Sequence, residues 1–226
     1  MRKENPRATL CRTINMTIAA VFLLSCWTVC AEEPGICVST DDAQLLTLVN
    51  DYRMANGLDA VDWSRSLITV GQWHVWDAAN NDAIGGSCNL HSWSDARPDL
   101  WVGMCYTSDH ANAALMWSKP SEITGGIYSG NGYENAAAGY ASVAAALEGW
   151  KNSQSHNDVI LNQGMWSGFT WRAMGVGADT VSKIYYLWFG ASADPQGEMP
   201  LCGDLIFSDG FESGDTTAWS DQVGGP

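Results

Sequence analysis

The chain has four histidines, and imidazole is the side chain that most readily ligates a metal or moves a proton near neutral pH. His156 stands in WKNSQSHNDVILN, between small polar residues and an apolar run. At a helix end such a histidine also suits the negative pole of the helix dipole. His91 lies in CNLHSWSD, a loop composition, and His110 lies in SDHANAAL, near the start of a helix. His74, between Trp73 and Trp76, shares a helical face with Leu67 and Val70 and reads as a packed histidine. Imidazole nitrogen and carboxylate oxygen are good Zn²⁺ ligands, and a site with three protein ligands leaves a position for water or substrate. Without a metal, a glutamate beside a histidine orients it or takes its proton. The sequence has no H-E-x-x-H and no G-x-S-x-G stretch. Ser92 adjoins His91, but neighbours in sequence are not an activated nucleophile–base pair. Trp93 and Trp101 fall in a polar loop, where tryptophan either packs or lines a groove and stacks on flat ligands.

These residues must be positioned by helices and strands. TDDAQLLTLVNDYRMANGL reads as a helix with Leu45, Leu48, Val49 and Tyr52 on one face, Thr40 or Asp41 as its cap and Gly57 just past its end. WSRSLITVGQWHVWDAANND repeats the pattern, capped by Ser64 or Ser66. Residues 86–132 are rich in Gly, Ser, Trp, Asp and Pro and read as a long loop region with one short helix near DHANAALMW. YASVAAALEGWKNS reads as a third helix. WRAMGVGAD and KIYYLWFGASA flank DTVS and read as an antiparallel hairpin. Helices first and strands last predict an α+β fold, with helices packed on one small antiparallel sheet.

The N-terminus reads as a secretory signal. Arg2, Lys3, Arg7 and Arg12 precede the apolar run MTIAAVFLLSCWTVCA, which ends in small residues and predicts cleavage after Ala31. The run is short for a membrane anchor. A second reading makes LLSC a lipoprotein box with Cys26 as the lipid-bearing residue, though Leu24 fits such a box poorly. Removing residues 1–31 takes away four basic residues and one acid and leaves a net charge of −17, against −14 for the whole chain. Such a surface repels phosphate backbones, so nucleic acid is not an expected partner. The remaining Cys37, Cys88, Cys105 and Cys202 are an even set in an exported chain and predict disulfides, with three pairings open. Cys88 with Cys105, and Cys37 with Cys202, is the favoured pairing, since it closes a short Trp-rich loop and ties the two ends of the domain. Residues 203–226, acidic and Gly-rich, read as a separate tail whose DGFESGD stretch has no EF-hand spacing.

Five stretches in order resemble one family. LLTLVNDYRMANGLDAVDWSRSL, CNLHSWSD, GYENAAAG, WKNSQSHNDVILN and MGVGAD with YYLWFG resemble successive motifs of the CAP superfamily, bacterial type. The group, also called the SCP domain, includes cysteine-rich secretory proteins, antigen 5 and plant pathogenesis-related proteins. The resemblance covers residues 42–192 and implies an α-β-α sandwich with a central groove, within a domain spanning residues 32–202. It places the groove histidines at His91 and His156 and the motif glutamate at Glu134, with these three as the implied ligands of a divalent metal such as zinc. A second groove acid, common in eukaryotic members after the helix tryptophan, is replaced here by Lys151, Asn152 and Ser153. Glu148 points elsewhere on the helix, so the site is either a triad or completed by Asp95, with Trp93 at its mouth. Tyr133 stands where the motif has glycine. The implied function is a secreted, non-enzymatic binding module for a lipid, sterol-like, glycan or protein ligand. The alternative is a metal-dependent extracellular hydrolase acting on peptide or cell-wall material. Oligomeric state is not legible in the sequence.

Overall fold

The computed structural model of the protein describes residues 34–205. The signal segment, the lipoprotein alternative at Cys26 and the tail beyond Leu205 lie outside the described residues.

Helix α1 (Thr40–Ala55) starts one residue earlier than expected, with Ser39 as the cap. The reason is a reciprocal pair of bonds. The Ser39 hydroxyl accepts from the Asp42 backbone N–H at 3.1 Å, and the Asp42 carboxylate accepts from the Ser39 N–H at 3.3 Å. Helix α2 (Arg65–Asn80) is capped by Ser64. Ser66 instead joins Ser64 in donating to Asp194, at 2.9 and 2.7 Å. The long loop region holds two short helices rather than one, α3 (Ala113–Trp117) and α4 (Lys119–Ile123). The motif stretch GYENAAA forms strand β1 (Gly132–Ala138). The expected third helix is present and is followed by a further helix outside that expectation. Helix α5 (Val143–Lys151) ends before an extended Ser153, and α6 (Gln154–Ile160) begins after it. His156 is therefore in the first turn of α6, not at a helix C-terminus. The expected hairpin is present as β2 (Ala173–Asp179) and β3 (Ile184–Gly190).

The three strands form one antiparallel sheet in the order β1-β3-β2. The central strand is apolar on both sides, and Tyr185, Tyr186, Leu187, Trp188 and Phe189 are all fully buried. Alternation along it divides the core. Leu187 and Phe189 pack with Leu45, Val49, Leu147 and Trp150 of α1 and α5. Tyr186 and Trp188 pack with Leu67, Val70 and Trp73 of α2 and with Trp93 and Trp101. Helices therefore cover both faces, as the α+β expectation required.

Helix α2 lies close against β2 because three glycines allow it. A Cβ on Gly177 would stand 2.0 Å from the Gly71 carbonyl oxygen, and one on Gly175 would stand 2.2 Å from the Leu67 carbonyl carbon. The G-V-G spacing places both strand glycines on the face that meets the helix. This close approach sets the height of α2 over the sheet, and thus of everything α2 carries.

Two disulfides, Cys37–Cys202 and Cys88–Cys105, match the favoured pairing. The first joins residues 165 apart beside the bridge of Val38 to Leu201. The second closes the loop that bears His91.

Asp42 ties three elements together. Its buried carboxylate accepts from Gln72 Nε2 on α2 and from the Ala178 N–H on β2, each at 2.8 Å. Burial pushes its pKa from 3.8 up to about 6, against the pull of these bonds.

We expect Gly177→Ala to cost about 3 kcal/mol or more, because the contact is backbone on backbone. Chemical denaturation checks this, and a loss under about 1 kcal/mol would show that α2 shifts freely. A second expectation concerns pH. The folded chain holds the Asp42 proton to about pH 6, whereas the unfolded chain releases it near 3.8. The stability this proton contributes is present below the lower value and is lost as pH rises through the upper one. The stability deficit of Asp42→Asn relative to the native chain should therefore narrow between about pH 4 and 6, and a constant deficit would contradict the raised pKa.

Candidate functional site

Glu134 is the third residue of the edge strand β1, and its side chain is fully buried. Its register partner is Trp188, so it faces the α2 side of the sheet. Each of its two oxygens meets an imidazole. Oε2 lies 2.6 Å from Nδ1 of His74, and Oε1 lies 2.6 Å from Nδ1 of His91.

Hydrogen-bond roles follow from the remaining partners. His74 Nε2 is 3.0 Å from the Ser92 carbonyl, which only accepts, so Nε2 carries a proton. Burial pushes the Glu134 pKa up, but the two imidazoles, His74 foremost, more than offset it and hold the carboxyl below its ordinary value. An ionised Glu134 also only accepts. His74 Nδ1 therefore donates as well, and His74 carries both protons as an imidazolium. Its ring is stacked between Trp93 at 3.9 Å and Tyr186 at 3.8 Å, centroid to centroid. Aromatic faces are favourable neighbours for a cation. His91 donates from Nδ1 to Glu134, which turns its Nε2 outward, and its side chain remains 21% exposed. In its neutral form His91 presents a lone pair at Nε2.

His156 completes the groove from the opposite side of β1. Its backbone carbonyl accepts from Asn135 Nδ2 at 2.9 Å, and its Nδ1 is 2.7 Å from the Ser153 hydroxyl. Burial lowers its pKa, and the proximity of His91 lowers it further. His156 is thereby kept neutral. His110 reaches the same region through Tyr106. The Tyr106 hydroxyl lies 2.9 Å from His110 Nδ1, and the Tyr106 ring is 5.1 Å from His91. Burial and the Glu134 charge raise the Tyr106 pKa, so the phenol keeps its proton, and the His110 tautomer sets which of the two donates. All four histidines of the chain thus belong to one neighbourhood.

The loop behind His91 is held by local bonds. Ser92 is fully buried, its hydroxyl accepts from the Tyr106 N–H at 2.9 Å, and Trp93 pairs with Met104 backbone to backbone. Tyr186 donates to the Leu90 carbonyl at 2.8 Å.

The structure brings His91, Glu134 and His156 together, but it changes the role of Glu134. With both oxygens taken, Glu134 stands behind the histidines rather than beside them as a ligand. Among the described residues no three His, Cys, Asp or Glu are grouped to hold a metal ion. Asp95 does not complete the site. It is exposed, lines an open pocket with Asn81, Asp82 and Gly103, and makes no hydrogen bond or ion pair with His91, Glu134 or His156. Trp93 and Trp101 are 2% and 1% exposed and pack inside, so neither lines the mouth. Tyr133 packs among Trp117, Trp166 and Phe169 on the other side of β1. Glu148 pairs with Lys151 on the surface, away from the groove.

The sequence profile of the cysteine-rich secretory protein family, CAP, matches residues 46–189. The chain belongs to the CAP family. No curated protein matches it. Among solved structures, it is 22% identical to an extracellular protein containing an SCP domain from Bacillus anthracis str. Ames, with a TM-score of 0.46, covering 67% of this chain and 40% of that one. It is 14% identical to a cysteine-rich secretory protein from Staphylococcus aureus subsp. aureus Mu50, with a TM-score of 0.43, covering 67% of this chain and 38% of that one. The aligned region thus spans about two fifths of each of those proteins.

Sequence reasoning about this CAP chain missed the part played by His74. The signal was available, since a histidine on an apolar helix face is a buried polar group and must find partners. The partner could not be read, because it lies 60 residues away on β1.

Replacing Glu134 by leucine strands a buried imidazolium and should cost about 3–5 kcal/mol at neutral pH, whereas Glu134→Gln, which can donate to a neutral His74, should cost far less. Equal losses in denaturant would contradict the ionic pair.

Proposed function

We propose that this CAP domain is a secreted, non-enzymatic recognition module that acts after signal cleavage near Ala31. Its groove lies at the β1 edge, between His91 and His156. The observation that carries the reading is the commitment of both Glu134 oxygens to imidazoles. A carboxylate so engaged is not free to serve as nucleophile or base. Ser92 is likewise locked in backbone contacts and buried. What remains for a ligand is a pair of imidazole edges and the partly exposed rings around them. These suit an uncharged lipid, sterol-like, glycan or protein surface better than an anion, given the net charge of −17 left after removal of residues 1–31.

The same groove would hold a divalent metal such as zinc through His91 and His156, with Glu134 as the hydrogen-bonded partner behind His91. A bound zinc would polarise a ligand oxygen or a water there, which is the basis of the hydrolase alternative. His91's outward Nε2 is the observation that keeps this second reading in view.

Calorimetric Zn²⁺ titration of the native chain, His91→Ala and His156→Ala tests the groove. One-to-one binding lost in both variants is the expected result for a two-imidazole site, and binding untouched by either substitution would remove it. Peptide, ester and peptidoglycan substrates, with and without Zn²⁺, test the chemistry. No turnover above the blank is expected, and turnover abolished by His91→Ala would replace the recognition reading with the hydrolase.

A further inference from the structure

A second site lies away from the histidine groove. Arg53, in the last turn of α1, is only 4% exposed. Its Nε donates to the Asp59 carbonyl at 3.2 Å, and its Nη1 donates to the Ile160 carbonyl and, at 2.9 Å, to Asn162 Oδ1. Among the described residues Nη2 has no acceptor, and no carboxylate lies within ion-pair distance of this guanidinium. The Asp59 carboxylate acts on it only through space. A buried guanidinium without a counter-ion is an unusual arrangement, because removing a charge from water is costly unless an opposite charge replaces the water.

The same guanidinium lines a cavity of about 640 Å³. Arg172, Ser167 and Thr170 also line it, and Phe169 and Trp171 form an aromatic wall. The chain has only 11 basic residues against 25 acidic ones, so two arginines on one cavity run against its overall composition. Asp59 and Asp62 stand at the same cavity. They make a phosphate dianion a poor match and favour a single negative charge attached to groups that donate hydrogen bonds. A planar carboxylate matches a guanidinium edge in shape and charge.

We propose that this cavity binds a carboxylate-bearing ligand, with the carboxylate on the Arg53 edge and Arg172 and an adjoining apolar group against Phe169 and Trp171. A free acyl amino acid and the C-terminus of a peptide share this chemistry. The site is independent of the groove at His91, so either can fail without the other.

The test is calorimetric titration of the whole protein at low salt with N-acetyl-leucine and N-acetyl-Ala-Ala-Leu, each as the free acid and as the C-terminal amide. The free acids should bind, and the amides should bind at least about tenfold more weakly. Peptide acid tighter than acyl amino acid identifies a peptide C-terminus, and equal affinity identifies the free acid. Arg172→Gln, at an exposed position, should weaken the acids about fivefold or more while leaving the thermal midpoint unchanged. Arg53→Lys keeps the charge and loses the fork, and its melting curve reports whether the fold survives. Acid and amide binding alike, no binding at about 10 mM, or acid binding unchanged by Arg172→Gln would each overturn the proposal.

Discussion

One buried carboxylate organises the candidate site. Glu134 comes from an edge strand, His74 from a helix packed on the sheet, and His91 from a disulfide-closed loop, and the two 2.6 Å contacts hold all three together. Removing a carboxylate from water is expensive, and what offsets the cost here is a cation rather than a neutral donor. His74 takes that part because the Ser92 carbonyl fixes one proton and the carboxylate fixes the other. The open nitrogen of His91 is the outward consequence of an arrangement whose other members are sealed inside.

Much of the remaining fold serves the placement of that pair. The α2 contact at Gly71, Gly175 and Gly177 brings His74 down to the level of Tyr186. Trp93 closes the stack from the loop side and is held by its own backbone pairing with Met104. A tryptophan read as a possible groove wall is in fact the lid of the imidazolium. This accounts for its near-complete burial in a loop of otherwise polar composition.

The Arg53 cavity presents the opposite case. At Glu134 the charge is matched by a partner from the same chain. At Arg53 carbonyl oxygens satisfy three of the hydrogen-bond directions, and the charge itself is left without a close counter-ion. The two sites lie on different parts of the molecule, the first at the β1 edge and the second beside the end of α1 and the approach to β2. A chain of such acidic character commits a buried cation to each.

The sequence by itself determined the elements that rest on local pattern. The helical faces of α1 and α2, the β2–β3 hairpin, the disulfide-competent cysteines and the family motifs were all legible, because periodicity, capping chemistry and short spacings are written along the chain. His91, Glu134 and His156 were found only through the motifs they sit in, since nothing local distinguishes them. Tertiary structure alone decided what each does. It made His74 the counter-ion of Glu134 across 60 residues, withdrew Trp93 and Trp101 into the core, and left Asp95 exposed beside Asn81 and Asp82. Sequence spacing does not encode which oxygen faces which nitrogen. That is settled by the register of β1 on β3 and by the glycine contact that fixes α2 against β2.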